Sequence, residues 1–344
     1  MNIVQYEDIY HFVSDFEIVE TLSGSKFLVT GATGLIGSTL VHCLLALNNG
    51  IEITCPIRDI KKAQKLFGYE TTKIHFVECD LLSYLNSLTE QDHFQYIIHC
   101  ASPTSGKYII EHPVETYELA FNTTRVLLNH VHRTNVSGMV YVSSVEYYGQ
   151  MFDDRFVTED MQGFVDYTDS RSSYSLGKRA AEYLCTSYAK EYGINVKIAR
   201  PTQTFGAGIL KDDNRVFAQF TRSIINNADI VLHTTGESAK PYCYTTDCIS
   251  AILYILLKGK NGEAYNVANE DTYISIKEMA MFLCNNFNPK INVRVELHPE
   301  MGYAPITKLH LSVEKLKSLG WSPQYSLKEM YNRLIEYLKL MNYE

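Results

Sequence analysis

Short apolar runs rich in Val, Ile and Tyr alternate along the chain with longer stretches of helical period. Lys26–Thr30, Ile51–Cys55, Ile74–Glu78, Tyr96–Cys100, Met139–Ser143 and Val196–Ala199 read as strands, because β-branched and aromatic residues suit a packed pleated surface. Leu35–Leu47, Val114–Val131 and Tyr174–Tyr192 read as the helices between them. This alternation predicts an α/β fold: a doubly wound parallel sheet with helices on both faces. After Arg200 the pattern changes. A Gly- and Asp-containing loop, Gly206 to Asn214, leads into a helix over Ser275–Phe287, a strand over Ile291–Leu297 and an amphipathic C-terminal helix over Leu327–Met341. Ser275 and Glu278 have capping-box spacing, which supports a helix start there. The expected organisation is a sheet domain over 1–205 with a returning segment near 240–268. Residues 206–239 and 269–344 would form a smaller C-terminal substrate-binding lobe, closing over the sheet edge where such folds take ligands.

Composition narrows the function. A chain of 344 residues can bury a large core, and its net charge of -8 disfavours nucleic acid, whose phosphates demand clustered Lys and Arg. No apolar run reaches the length of a membrane span, and Met1 to Glu20 is too polar for a signal peptide, so no membrane partner is expected. The eight cysteines show no CxxC or zinc-type spacing. They read as reduced core residues of a cytoplasmic protein without a metal site.

The first strand runs into Thr30-Gly31-Ala32-Thr33-Gly34-Leu35-Ile36-Gly37 and then a helix. Gly31 permits a tight turn, Gly34 lets the backbone approach a pyrophosphate, and Gly37 lets helix and strand pack closely. The anion would sit on the helix N-terminus, among free N–H groups. Dinucleotide binding follows. After the second strand, Cys55-Pro56-Ile57-Arg58-Asp59 offers no acid where the ribose of NAD is usually held. Arg58 could meet a 2′-phosphate or lie on the adenine, or be a solvated loop charge. Asp80, after the third strand, could meet the adenine amino group or cap a helix.

Tyr174 and Lys178 form YxxxK at one-turn spacing, so they share a helix face. Tyr69/Lys73 and Tyr254/Lys258 match the same pattern, but only Tyr174 opens a long helix downstream of a strand ending in Ser143-Ser144. A free tyrosine ionises near pH ~10, so a base at neutral pH needs positive neighbours, here the Lys178 ammonium and the nicotinamide. Tyr174 could then take a proton from a hydroxyl as hydride leaves for a nicotinamide, with Ser144 on the same oxygen and Lys178 also on the ribose.

These residues resemble the extended short-chain dehydrogenase/reductases, the NAD-dependent epimerase/dehydratase family, over nearly the whole chain. Within it the sequence looks closest to UDP-glucuronate decarboxylases (UDP-xylose synthases), through His99–Pro103, Ser170–Tyr174 with Gly177–Arg179, Ile198–Arg200, Asp212–Phe217, and Tyr242–Tyr244 before Asp247. dTDP-glucose 4,6-dehydratases share much of this frame. The resemblance implies a Rossmann-type fold, a homodimer, and a nucleotide-diphosphate sugar oxidised transiently at C4 by bound NAD. It implies an NAD site of Gly31, Thr33, Gly34, Leu35, Ile36, Gly37, Arg58, Asp80, Leu81, Ala101, Ser102, Tyr174, Lys178 and Pro201. Ser144, Tyr174, Lys178 and Glu146 would be catalytic, with Glu146 moving a proton at carbon. Ser102, Gln203, Arg215, Val216, Lys240 and Lys308 would bind substrate. Four positions depart from relatives: Val145 replaces an Asp or Ser, Gln203 an Asn, and Lys240 and Lys308 each an Arg. Other readings are a nucleotide-sugar 4-epimerase, a net NADP(H)-dependent reductase motivated by Arg58, and a non-catalytic nucleotide-binding regulatory protein. The intact Ser/Tyr/Lys set argues against the last.

Overall fold

The computed structural model describes residues 1–69, 71–151, 155–298 and 306–341. Strands β1 (Lys26–Thr30), β2 (Glu52–Ile57), β3 (Ile74–Glu78), β4 (Tyr96–His99) and β5 (Gly138–Val142) follow one another with helices between them. After β6 (Phe156–Val157) come β7 (Val196–Pro201), β8 (Gln203–Phe205), β9 (Ile230–Leu232), β10 (Ala239–Tyr244) and β11 (Ala264–Val267). The chain then forms β12 (Asn269–Ser275), β13 (Val293–Val295) and β14 (His310–Leu311).

Seven strands make one parallel sheet in the order β11-β7-β5-β4-β1-β2-β3. The chain winds outward from β1 to β3, crosses back to β4 on the other side of β1, and winds outward again. The reversal puts a crevice beyond the C-terminal ends of β1 and β4, the ligand position in open α/β sheets. β11 escaped the sequence pattern because Ala264–Val267 is only four residues long. β2 ends two residues later than expected, which brings Arg58 to the strand's C-terminal end.

One face of the sheet packs the buried side chains Val29, Leu40, Leu44, Ile98, Val140, Ile252 and Tyr265. The other packs Leu28, Ile97, Leu127, Met139, Cys185 and Ile198. A separate core of Phe205, Phe217, Tyr242, Leu283, Tyr331 and Leu334 joins the helices Val216–Ile225, Ile276–Phe287 and Leu327–Met341 to the small sheet β12-β10-β8. Helix Ile276–Phe287 begins with the capping box of Ser275 and Glu278, as its spacing required. The strand expected over Ile291–Leu297 is reduced to Val293–Val295, paired with β9.

The polar N-terminus carries a helix, Ile3–Asp15, that hydrophobic pattern alone did not mark. Asn2 and Gln5 form its capping box, and Val4, Ile9 and Phe12 are buried. Among the described residues no helix is long and apolar enough to cross a membrane. Each of the eight cysteines is a free thiol.

Candidate active site

The glycine loop lies at the crevice. Gly31 has φ +71°, and a Cβ there would stand 2.7 Å from Ala101 N on the β4 side. A side chain at Gly37 would overlap the Gly31 carbonyl. Each glycine is therefore required by a close approach of backbone to backbone. Gly37 packs the helix against the loop itself rather than against the strand. Gly34 is exposed at the N-cap of helix Leu35–Ala46, and no side chain caps that helix. The Gly34 N–H closes the turn onto Gly31 O at 3.0 Å, and those of Leu35 and Ile36 face an anion at the positive end of the helix dipole. Thr33 is half-buried beside them.

A buried relay fixes the crevice. Thr30 Oγ1 lies 2.6 Å from His99 Nδ1, and His99 Nε2 lies 3.1 Å from Thr123 Oγ1. The Ala101 amide donates to Thr30 Oγ1 at 3.3 Å. Burial, aided by the Lys178 charge, lowers the His99 pKa to about 3, so its ring is neutral. Of the remaining cofactor candidates, Arg58 is exposed after β2, and Pro201 is buried at the end of β7. Asp80 is the N-cap of the helix Leu81–Ser87, accepting from Ser83 N at 2.9 Å. The capping role that its position allowed is thus realised.

Tyr174 and Lys178 lie on the helix Ser172–Tyr192, which packs beside β5. Lys178 is 2 % exposed, and its Nζ donates to Val142 O at 2.9 Å. It lies 4.8 Å from the Tyr141 ring centroid and 5.6 Å from that of Tyr174. Ser144 starts the turn Val145–Tyr148, its Oγ accepting from Glu146 N at 3.2 Å. Val145 is buried under that turn and Glu146 is exposed. The Ser102 and Ser144 hydroxyls both act on the Tyr174 hydroxyl in the acidifying direction, although Ser102 Oγ meets no strict hydrogen-bond geometry. The Ser102 contact is thus a close approach rather than a formed bond.

Electrostatics sets what Tyr174 needs to act as a base. Burial first, then the negative charge of Glu146, push the Tyr174 pKa up to about 12. Burial also lowers the Lys178 pKa to about 8, against the field of Glu182. Lys178 keeps its proton at neutral pH, but the phenol beside it stays far above that range, so Tyr174 needs a further positive charge to act as a base. A positively charged nicotinamide beside the phenol would supply it.

A buried pair behind the site was missing from the sequence reading. Arg200 binds Glu182 through Nε at 3.1 Å and Nη2 at 2.7 Å, and both side chains are almost fully buried. Arg200 Nη1 also donates to Tyr148 Oη at 2.9 Å and to Glu159 O at 2.8 Å, and its Cζ lies 3.5 Å from the Tyr147 ring centroid. Arg179 donates to the carbonyls of Tyr147 and Gly163 at 2.7 and 2.8 Å. Together they fasten the turn carrying Glu146 to the helix carrying Tyr174. The available signal was the one-turn spacing of Lys178 and Glu182.

The remaining substrate candidates lie on β8, on β10, at the start of helix Val216–Ile225 and beside Ala239. Gln203 begins β8, and Lys240 is half-buried in β10, two residues before the partner of Gln203. Arg215 precedes the helix that Val216 opens, and its guanidinium grips Asp213 with Nε–O distances of 3.0 and 3.1 Å. Lys308 is exposed beside Ala239, with its charge acting on Glu278. Among the described residues no cluster of His, Cys, Asp or Glu is arranged to hold a metal ion.

Comparison with known proteins agrees with this geometry. Residues 27–268 match the model of the NAD dependent epimerase/dehydratase family. The chain is 24% identical to UDP-glucuronic acid decarboxylase 2 of Arabidopsis thaliana over 306 residues, covering 89% of this chain and 66% of the plant protein. It is 24% identical to the dTDP-D-glucose 4,6-dehydratase of Bos taurus, covering 91% and 88%. Its fold is similar to that of UDP-glucose 4-epimerase from Thermotoga maritima, solved with UDP-glucose, with TM-score 0.79, 20% identity and coverage of 92% and 99%. A crevice at the sheet's switch point, a glycine turn under an open helix N-terminus and a Tyr/Lys pair on one helix face are what nicotinamide chemistry asks of a fold. The chain is an NAD-dependent enzyme and belongs to the NAD-dependent epimerase/dehydratase family.

Proposed function

We propose that the protein converts a nucleoside-diphosphate sugar by transient oxidation at C4, and that the substrate is a UDP-uronate which loses its carboxylate after that oxidation. The observation that carries this reading is the convergence of Ser144, Tyr174 and Glu146, with the Glu146 charge acting directly on the Tyr174 phenol. The glycine loop and the open N-terminus of helix Leu35–Ala46 would hold NAD, which would supply the hydride acceptor and donor at C4. Tyr174 takes the proton of the 4-hydroxyl, and Ser144 and Ser102 hydrogen-bond the same oxygen. The 4-keto sugar is then a β-keto acid at C6, which releases carbon dioxide and leaves an enolate at C5. Glu146, after taking a proton from solvent, protonates that carbon. Tyr174 gives its proton back as the keto group is reduced.

Elimination of water needs an acid on the leaving hydroxyl, and buried Val145 offers none where dehydratases carry Asp. Gln203, Lys240 and the N–H of Val216 would hold the diphosphate, joined by Arg215 once the anion competes with Asp213. Lys308 would pair with the uronate as a point charge. Residues 206–239 and 269–344 would form the substrate lobe. The face of helices Pro113–Arg133 and Ser172–Tyr192 that exposes Val114, Tyr117 and Tyr183 would bury itself in a homodimer. Eight unpaired cysteines suit the cytoplasm.

Incubation with UDP-glucuronate and, separately, dTDP-glucose, read by mass, tests the assignment. Loss of carbon dioxide from the first is expected. Loss of water from the second would make the protein a dehydratase. A new stereoisomer without mass change would make it an epimerase.

A further inference from the structure

The N-terminal helix Ile3–Asp15 belongs to two cores at once. Val4 is buried in the lobe core with Phe205, Phe217 and Tyr244, whereas Ile9, Phe12 and Phe16 are buried in the core beneath the sheet. Between them sits Asp8, only 4 % exposed. Tyr244 Oη, at the end of β10, donates to Asp8 Oδ2 at 2.6 Å. Arg333, on helix Leu327–Met341, donates to Asp8 Oδ1 through Nε and to Val4 O through Nη2 at 3.0 Å.

Both ends of this knot reach the crevice. A Cβ on Gly208 would stand 3.3 Å from Leu35, the residue after Gly34 of the glycine loop, and 3.4 Å from Gln5 Nε2 of the N-terminal helix. One turn beyond Arg333, Tyr337 Oη donates to Ile209 O at 3.3 Å, in the loop that leads to Arg215. The N-terminal helix, through Gln5, and the C-terminal helix fastened to it, through Tyr337, thus both meet the loop beside the glycine-loop helix.

We propose that the N-terminal helix is a clasp setting how closely the lobe sits over the glycine loop, and that Asp8 is the positioning residue that locks it. Asp8 touches neither ligand. It holds β10 and the C-terminal helix in one register relative to helix Leu35–Ala46, so substrate groups on the lobe meet a cofactor already on the sheet. Burying a carboxylate is costly unless it is fully partnered, and Asp8 meets this with the Tyr244 hydroxyl and the Arg333 guanidinium together. Burial still holds its pKa up at about 6, against the fields of Arg333 and His11. A helix needing only apolar anchorage would not carry a buried ion pair at the junction of two cores.

The nucleotide arm of the test rests on the reading proposed above, and the exchange arm does not. Tyr244→Phe removes one hydroxyl and keeps the ring. Asp8→Asn, as second variant, removes the charge. Hydrogen exchange read by mass is expected to quicken in the Gly206–Asn214 loop and in the 216–225 and 327–341 helices, with the sheet strands unchanged. Calorimetry is expected to show UDP binding weakened about tenfold, a usual size for coupling between two sites, with NAD affinity within about twofold of wild type. Unchanged lobe exchange in both variants would overturn the clasp. So would an even loss of protection throughout, or an equal loss of NAD and UDP affinity, since each marks a merely structural helix. A wild-type protein that ignores UDP would sink the nucleotide-sugar reading, while the exchange result would still decide the clasp.

Discussion

In Arg200→Met the buried carboxylate of Glu182 keeps its charge and loses its partner. Arg200 supplies two nitrogens to Glu182, one to Tyr148 Oη and Glu159 O, and a ring face contact to Tyr147 at 3.5 Å. Removing one member of a buried ion pair costs about 3–5 kcal/mol, because the other charge stays desolvated. With an unfolding entropy of about 2.1 cal/mol/K per residue over 344 residues, that loss lowers the melting temperature by ~4–7 °C. Differential scanning calorimetry reads the shift. The double variant Glu182→Gln/Arg200→Met leaves no stranded charge and is expected to recover part of the loss. The same arginine backs the turn that carries Glu146, so the single variant should also lose activity at temperatures where it remains folded. A shift below about 1 °C, or a double variant less stable than the single, would refute the argument that the pair is held by its mutual compensation.

Tyr174→Phe is expected to lower turnover by ~10²–10⁴-fold while NAD affinity holds, and a variant retaining about a tenth of the rate would remove Tyr174 from the base role. Gly37→Ala is expected to abolish NAD binding by forcing a methyl group onto the Gly31 carbonyl, which calorimetry with NAD checks. Asp247, whose carboxylate accepts from the amides of Gln324 and Tyr325 at 3.0 and 3.2 Å, has its pKa raised by burial to about 7. A carboxyl raised in the fold favours the neutral form, so its contribution is full below the unfolded value near pH ~3.9 and is lost as pH rises through about 7. Asp247→Asn should flatten the change of the urea midpoint between about pH 4 and 7, and parallel curves for the two proteins would contradict it.

Much of the site was legible because it depends on local pattern. The glycine spacing, the Tyr174/Lys178 register and the strand leading to Ser144 each follow from turn and helix geometry in a few consecutive residues. Asp80 shows the limit of such reading, since a residue after a strand fits a ligand and a helix cap equally well from sequence. Arg200, Glu182 and Asp8 illustrate a different limit. Each is a polar residue in a segment whose burial depends on partners 18 to 325 positions away. Pattern marks apolar faces, and it is blind to a charge buried because another charge arrives from elsewhere. The phenol of Tyr174 belongs here too: spacing placed it beside Lys178, but only the packed structure shows that burial raises the phenol and lowers the ammonium.

UDP-glucuronate carrying deuterium at C4, incubated with the protein and its bound NAD, tests the central claim. The account requires a decarboxylated sugar that retains the deuterium, formed over many turnovers without a stoichiometric build-up of NADH. Label lost to solvent or left on the nicotinamide, with one equivalent of NADH per product, would contradict the internal cycle.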